Sequence, residues 1–84
     1  MKTIQFHGQR NIISRQLARA RKNEHMSQAR LAARLQAMGV HIDQQGISKI
    51  ERNRRIVADY ELLCLCDVLG VQPTSLLSDV RKEA

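Results

Sequence analysis

Helix breakers are confined to five positions in this chain, Pro73 and Gly8, Gly39, Gly46 and Gly70. The windows between them can be filled by uninterrupted helix, whereas strand signals are poor. Hydrophobic residues make up 43% of the chain and aromatics only 2%. A core must therefore be assembled from Leu, Ile, Val, Ala and Met, a set that favours packed helices. Eighty-four residues leave room for one small domain that buries only about 60% of its unfolded surface. Every core position then carries weight, and a large catalytic cleft is not expected.

Periodicity and capping residues predict five helices. The first is expected from Gln9 or Asn11 to Asn23, burying Ile13, Leu17 and Ala20, with Arg15, Arg19 and Arg21 on its other faces. Asn23 to Met26 connect it to the next, Met26 tucking inward. Ser27 reads as the N-cap of a second helix that turns Leu31, Ala32 and Leu35 inward and ends near Met38, with Gly39 placed for a left-handed C′. After a turn at Val40, His41 and Ile42, Asp43 caps a third helix ending near Arg52, where Asn53 is a left-handed stop. A fourth is expected to open at Asp59, bury Leu62, Leu65, Cys66 and Leu69, and end at Gly70. A short fifth runs from Pro73 to Ser78, proline suiting its first turn. Residues after Asp79 are expected to fray.

The third of these helices is the one with a message. At about 100° per residue, Gln44, Ser48, Arg52, Gln45 and Lys49 form one polar stripe, opposite Gly46, Ile47, Ile50 and Glu51. A glutamine amide pairs a donor with an acceptor and matches adenine in a major groove, while Lys and Arg suit guanine or phosphate. Taken alone, such a stripe also fits a solvated face. Charge favours the first reading. The net charge is +6, but residues 1–56 carry +9, from 12 Lys or Arg against three acids, and residues 57–84 carry −3. One half of the chain is thus suited to a polyanion. No stretch approaches the roughly 18 apolar residues of a membrane-spanning helix, so nucleic acid is the better partner.

Other chemistry is sparse. Cys64 and Cys66, two apart in a predicted helix, point in directions too different for a mutual bridge and read as reduced thiols. His7, His25 and His41 have no finger-like spacing to them, and no metal or other cofactor is expected. No carboxylate pair, nucleophile and base set, or phosphate-binding glycine loop suggests an enzyme or a small-molecule substrate. The first ten residues lack an apolar signal region, which gives a cytoplasmic expectation.

Arg21, Ser27, Gln28, Leu31, Ala32, Ile47, Ser48, Ile50 and Glu51, followed by Glu61 to Leu63, Leu69 to Val71, Leu76 and Leu77, resemble the pattern of the phage repressor and Cro, or XRE-type, helix-turn-helix family. The resemblance spans residues 11–78. It implies an all-α, five-helix lambda-repressor-like DNA-binding domain, here with a lengthened turn between helices two and three. The expected division is an N-terminal arm, 1–10, the domain, 11–78, and a tail, 79–84. It also implies that Gln28 binds a DNA phosphate at the start of helix two and that Gln44, Gln45, Ser48 and Lys49 read bases. Arg21 and Glu51 match a half-buried pair tying helix one to the recognition helix, with a spare Arg21 donor for phosphate. Arg52, Arg54 and Arg55 of the adjoining basic loop complete the expected phosphate set. Two residues depart from the pattern. Arg30 stands where an acidic residue is frequent, a cost that phosphate contact would offset, and Gly46 stands where Ser or Thr is frequent, which suggests close packing on helix two.

The function so implied is a sequence-specific, double-stranded-DNA-binding transcription regulator, with repression the expected sense. A homodimer on two half-sites is expected, joined around helix five and residues 72–84. Two rivals remain open: an antitoxin that autoregulates its operon, for which the residues after Leu77 leave little toxin-binding segment, and a protein-interaction module with a basic face.

Overall fold

A computed structural model describes residues 6–78. They form five helices, α1 Ser14–Asn23, α2 Gln28–Ala37, α3 Gln44–Glu51, α4 Asp59–Leu69 and α5 Pro73–Leu77. Among the described residues the only strand-like pairing is an isolated bridge between Phe6 and Gln9, so the all-α, five-helix expectation stands. The anticipated fraying after Asp79, the share of the dimer surface assigned to 79–84, and arm residues 1–5 lie outside the described residues.

The first four helices close in the same way. In α1, α2 and α3 a left-handed residue follows the C-cap, in α4 the C-cap is itself left-handed, and in each the next N–H reaches back to a carbonyl in the last turn. Met26 N–H bonds the Arg21 carbonyl (3.2 Å), Val40 that of Leu35 (2.9 Å), Arg54 that of Lys49 (2.7 Å) and Val71 that of Cys66 (3.1 Å). These are six-to-one bonds that satisfy otherwise orphaned carbonyls. The left-handed positions are His25, Gly39, Asn53 and Gly70, at φ of 53°, 84°, 62° and 67°. Glycine meets no Cβ penalty there, and asparagine a small one. Histidine is the residue least suited to the position.

Helix starts are more varied. Ser27 Oγ accepts from Arg30 N–H (3.0 Å) and Asp43 Oδ1 from Gly46 N–H (2.7 Å), the two N-caps anticipated from residue type. The first helix, however, starts at Ser14 rather than at Gln9 or Asn11. Asn11 is withheld from it because its side chain accepts from Ile13 N–H (3.0 Å) and donates to two carbonyls far along the chain. α4 opens at Asp59 as expected, with Ala58 as its N-cap, and Glu61 Oε1 accepts the Ala58 backbone N–H (2.9 Å).

α2 packs against α3 and α4, α1 against α3 and α5, and α5 against α4. Inside lie Ile13, Leu17, Met26, Leu31, Ala32, Leu35, Ile47, Ile50, Leu65, Cys66, Leu69 and Leu76, while Ala20 and Leu62, expected inside, pack only partly buried against this cluster. The lengthened turn between α2 and α3 contributes to the core as well. Its Val40 and Ile42 are both buried, each such side chain stabilising the fold by about 1.5–3 kcal/mol. The added residues therefore anchor the start of α3 rather than loosening it. Gly46 follows from this arrangement. A Cβ there would lie 2.8 Å from Ile42 Cγ2, so the glycine makes room for the enlarged turn and not, as anticipated, for α2.

Candidate nucleic-acid interface

α3 presents two chemically distinct faces. Gly46, Ile47 and Ile50 are buried against α1 and α2, whereas Gln44, Gln45, Lys49 and Arg52 are exposed and Ser48 is half-buried. The structure thus gathers the anticipated base-reading side chains on one accessible helix face. Arg52 leans back along it, Nε–H to the Ser48 carbonyl at 3.4 Å.

Glu51 explains how a carboxylate sits beside the core. It accepts from Arg21 Nε (2.7 Å), Arg21 NH2 (3.0 Å) and Gln28 Nε2 (3.1 Å), while Arg21 NH1 donates to the Met26 carbonyl (2.8 Å). Three helices and the α1–α2 turn therefore meet at one carboxylate, with side chains only 12% (Arg21) and 8% (Glu51) exposed. Bonding to Glu51 outweighs burial and raises the Arg21 pKa, so the guanidinium stays charged. The bond from Gln28 uses one amide hydrogen and leaves the other at the start of α2.

The loop after α3 separates its arginines by role. Arg52 and Arg54 are exposed. Arg55, grouped with them in the sequence reading, is committed elsewhere: NH1 donates to Glu61 Oε1 (3.0 Å) and to the Ile56 carbonyl (3.0 Å), and NH2 to Glu61 Oε2 (3.0 Å). The Arg55 guanidinium holds the Glu61 carboxyl below its ordinary range despite burial. Such a two-pronged pair fixes the entry to α4, so the geometry gives Arg55 a structural task first. Arg30, Lys49, Arg52 and Arg54 have no ion-pair partner among the described carboxylates. Their charge remains available to an external anion. Cys66, with its thiol pushed up by burial, is a core residue.

One constellation was not anticipated. Asn53 Oδ1 accepts the backbone N–H of both Arg10 (2.7 Å) and Asn11 (3.1 Å). In return Asn11 Nδ2 donates to the carbonyls of Ile50 (3.0 Å) and Arg55 (2.9 Å), and Arg10 NH1 to that of Arg54 (3.2 Å). The arm is thereby interlocked with the end of α3. Asn53 announced its backbone conformation in the sequence but not its side-chain partners, and nothing local marks Asn11.

A helix-turn-helix family profile matches residues 17–76, most of the chain and all of α2 and α3. Among curated proteins, no sequence matches. With the profile, the five helices and the exposed face of α3 in agreement, the chain belongs to the XRE-type helix-turn-helix family of DNA-binding transcription regulators.

Proposed function

We propose that the protein is a sequence-specific regulator, a repressor, that inserts α3 into the major groove of a DNA half-site while α2 spans the backbone. One observation carries this reading: Gln44, Gln45 and Lys49 stand exposed on a helix whose opposite face is locked into the core. In this role Gln44, Gln45, Ser48 and Lys49 read base edges. Gln28, Arg30, Arg52 and Arg54 bind phosphate, with Arg21 adding a spare donor. Arg55 acts mainly through the loop it braces.

A single domain of residues 11–78 offers few base contacts, so useful specificity calls for two subunits on half-sites about one helical turn apart. The homodimer reading is supported by unpartnered apolar surface near α5, where Leu77 is 40% exposed beside a groove lined by Phe6, Ile12, Val57 and Leu62. The same surface would serve a toxin if the protein were an antitoxin, and mass measurement of the purified protein separates the two: the dimer reading expects twice the chain mass. Selection from a pool of random duplexes tests the function itself. The expected product is a two-fold-symmetric motif; failure to enrich any motif would reduce the basic face to a general polyanion surface.

A further inference from the structure

The family profile begins at Leu17, so the arm attached to the end of α3 lies outside the pattern that identifies the family. It is nonetheless built. Phe6 and Gln9 close a tight turn through two backbone bonds, of 2.7 and 2.9 Å, with His7 and Gly8 both left-handed, as a two-residue hairpin turn of the primed type requires. From that turn the chain passes directly into the Asn11–Asn53 interlock. Asn11 is buried, and both of its amide atoms are bonded.

This interlock places a cation at a defined position. Arg10 is exposed, its backbone is held by Asn53, and its NH1 group rests on the Arg54 carbonyl. A guanidinium carries five N–H donors, and that bond uses one. Arg10 therefore adds to Arg52 and Arg54 at the last turn of α3, and the nearby carboxylates Glu51 and Glu61 are already occupied by Arg21 and Arg55. Unneutralised like charges gathered in one place oppose folding, although cations also suit the negative end of a helix dipole. A polyanion alongside α3 would resolve the repulsion.

We propose that Arg10 is a further DNA phosphate-binding residue, held in place by the Asn11–Asn53 interlock, with Asn53 as its positioning residue. The inference rests on the reading that α3 faces DNA. In it, the arm and the recognition helix form one rigid DNA-facing unit, and the footprint extends past the two-helix motif onto the backbone at the end of α3.

The test is the salt dependence of duplex binding by the full chain, on a selected duplex and on a random-sequence one. Arg10→Ala should lower the slope of log K against log salt by about one per subunit on both duplexes, and Arg10→Lys should restore it. Asn53→Gly keeps the left-handed backbone but removes the acceptor. It should lose the same increment, and combining it with Arg10→Ala should cost no more than either change alone. A merely structural Arg10 would lower the melting temperature and leave the slope unchanged, and that result overturns the inference. If Asn53→Gly does not fold, the Arg10→Ala and Arg10→Lys pair decides. Should the parent protein fail to discriminate between the two duplexes, the base-reading proposal falls, yet the Arg10 slope on random duplex still decides this one.

Discussion

Gly46 shows how far a single side chain, or its absence, governs the placement of α3. In an isolated helix, alanine would improve on glycine by about 1 kcal/mol. Here the added methyl would meet Ile42 Cγ2 at 2.8 Å and Asp43 Oδ1 at 3.3 Å. Ile42 is buried and β-branched, so it has little freedom to move away. Overpacking of this kind costs about 1–3 kcal/mol. Gly46→Ala should therefore destabilise the protein by about 1 kcal/mol in chemical denaturation; an increase in stability would show that the turn relaxes freely. Glu61 makes a second prediction at this scale. Its folded-state pKa is depressed by Arg55, so its contribution is fully present above the unfolded-state value, about 4.3, and is lost as pH falls through the lower folded value. Glu61→Gln should be less stable than the parent at neutral pH, and the difference should narrow below about pH 4. A gap that stays constant with pH would assign the stabilisation to shape rather than charge. The sequence did not disclose this pair, because Arg55 and Glu61 lie six residues apart across a helix start, off any helical period.

The elements were legible where residue type fixes backbone conformation. Ser27 and Asp43 as caps, and Gly39, Asn53 and Gly70 as left-handed stops, set the limits of α2, α3 and α4 from the sequence to within a residue. Legibility failed where long-range bonds decide. The start of α1 is displaced to Ser14 because Asn11 bonds to Ile50 and Arg55, some forty residues away. The end of α1 at Asn23 was legible, but the left-handed residue that closes it, His25, is not announced by its type. His25→Gly should relieve that strain and stabilise the domain by about 0.5–1 kcal/mol, a rise of several degrees in melting temperature for a domain of this size. An unchanged or lower melting temperature would mean that the histidine side chain compensates for its backbone.

At the scale of the molecule, the sequence foretold the lopsided charge and the stripe on α3, since both follow from residue order alone. The arm docked on α3 required the fold to be seen. The proposed dimer sets the size of the electrostatic response: with about four phosphates neutralised by each subunit, log K should fall with log salt at a slope of roughly −7. In the proposed function, α3 reads sequence while the arginines around it supply affinity. The most direct test of this compares the parent with a Gln44→Ala, Gln45→Ala variant, measuring affinity for a selected duplex and for a random one at the same salt. Neither substitution alters charge. The variant should lose preference for the selected duplex and retain the salt-sensitive binding to both; a variant that discriminates as well as the parent would show that these glutamines do not read bases.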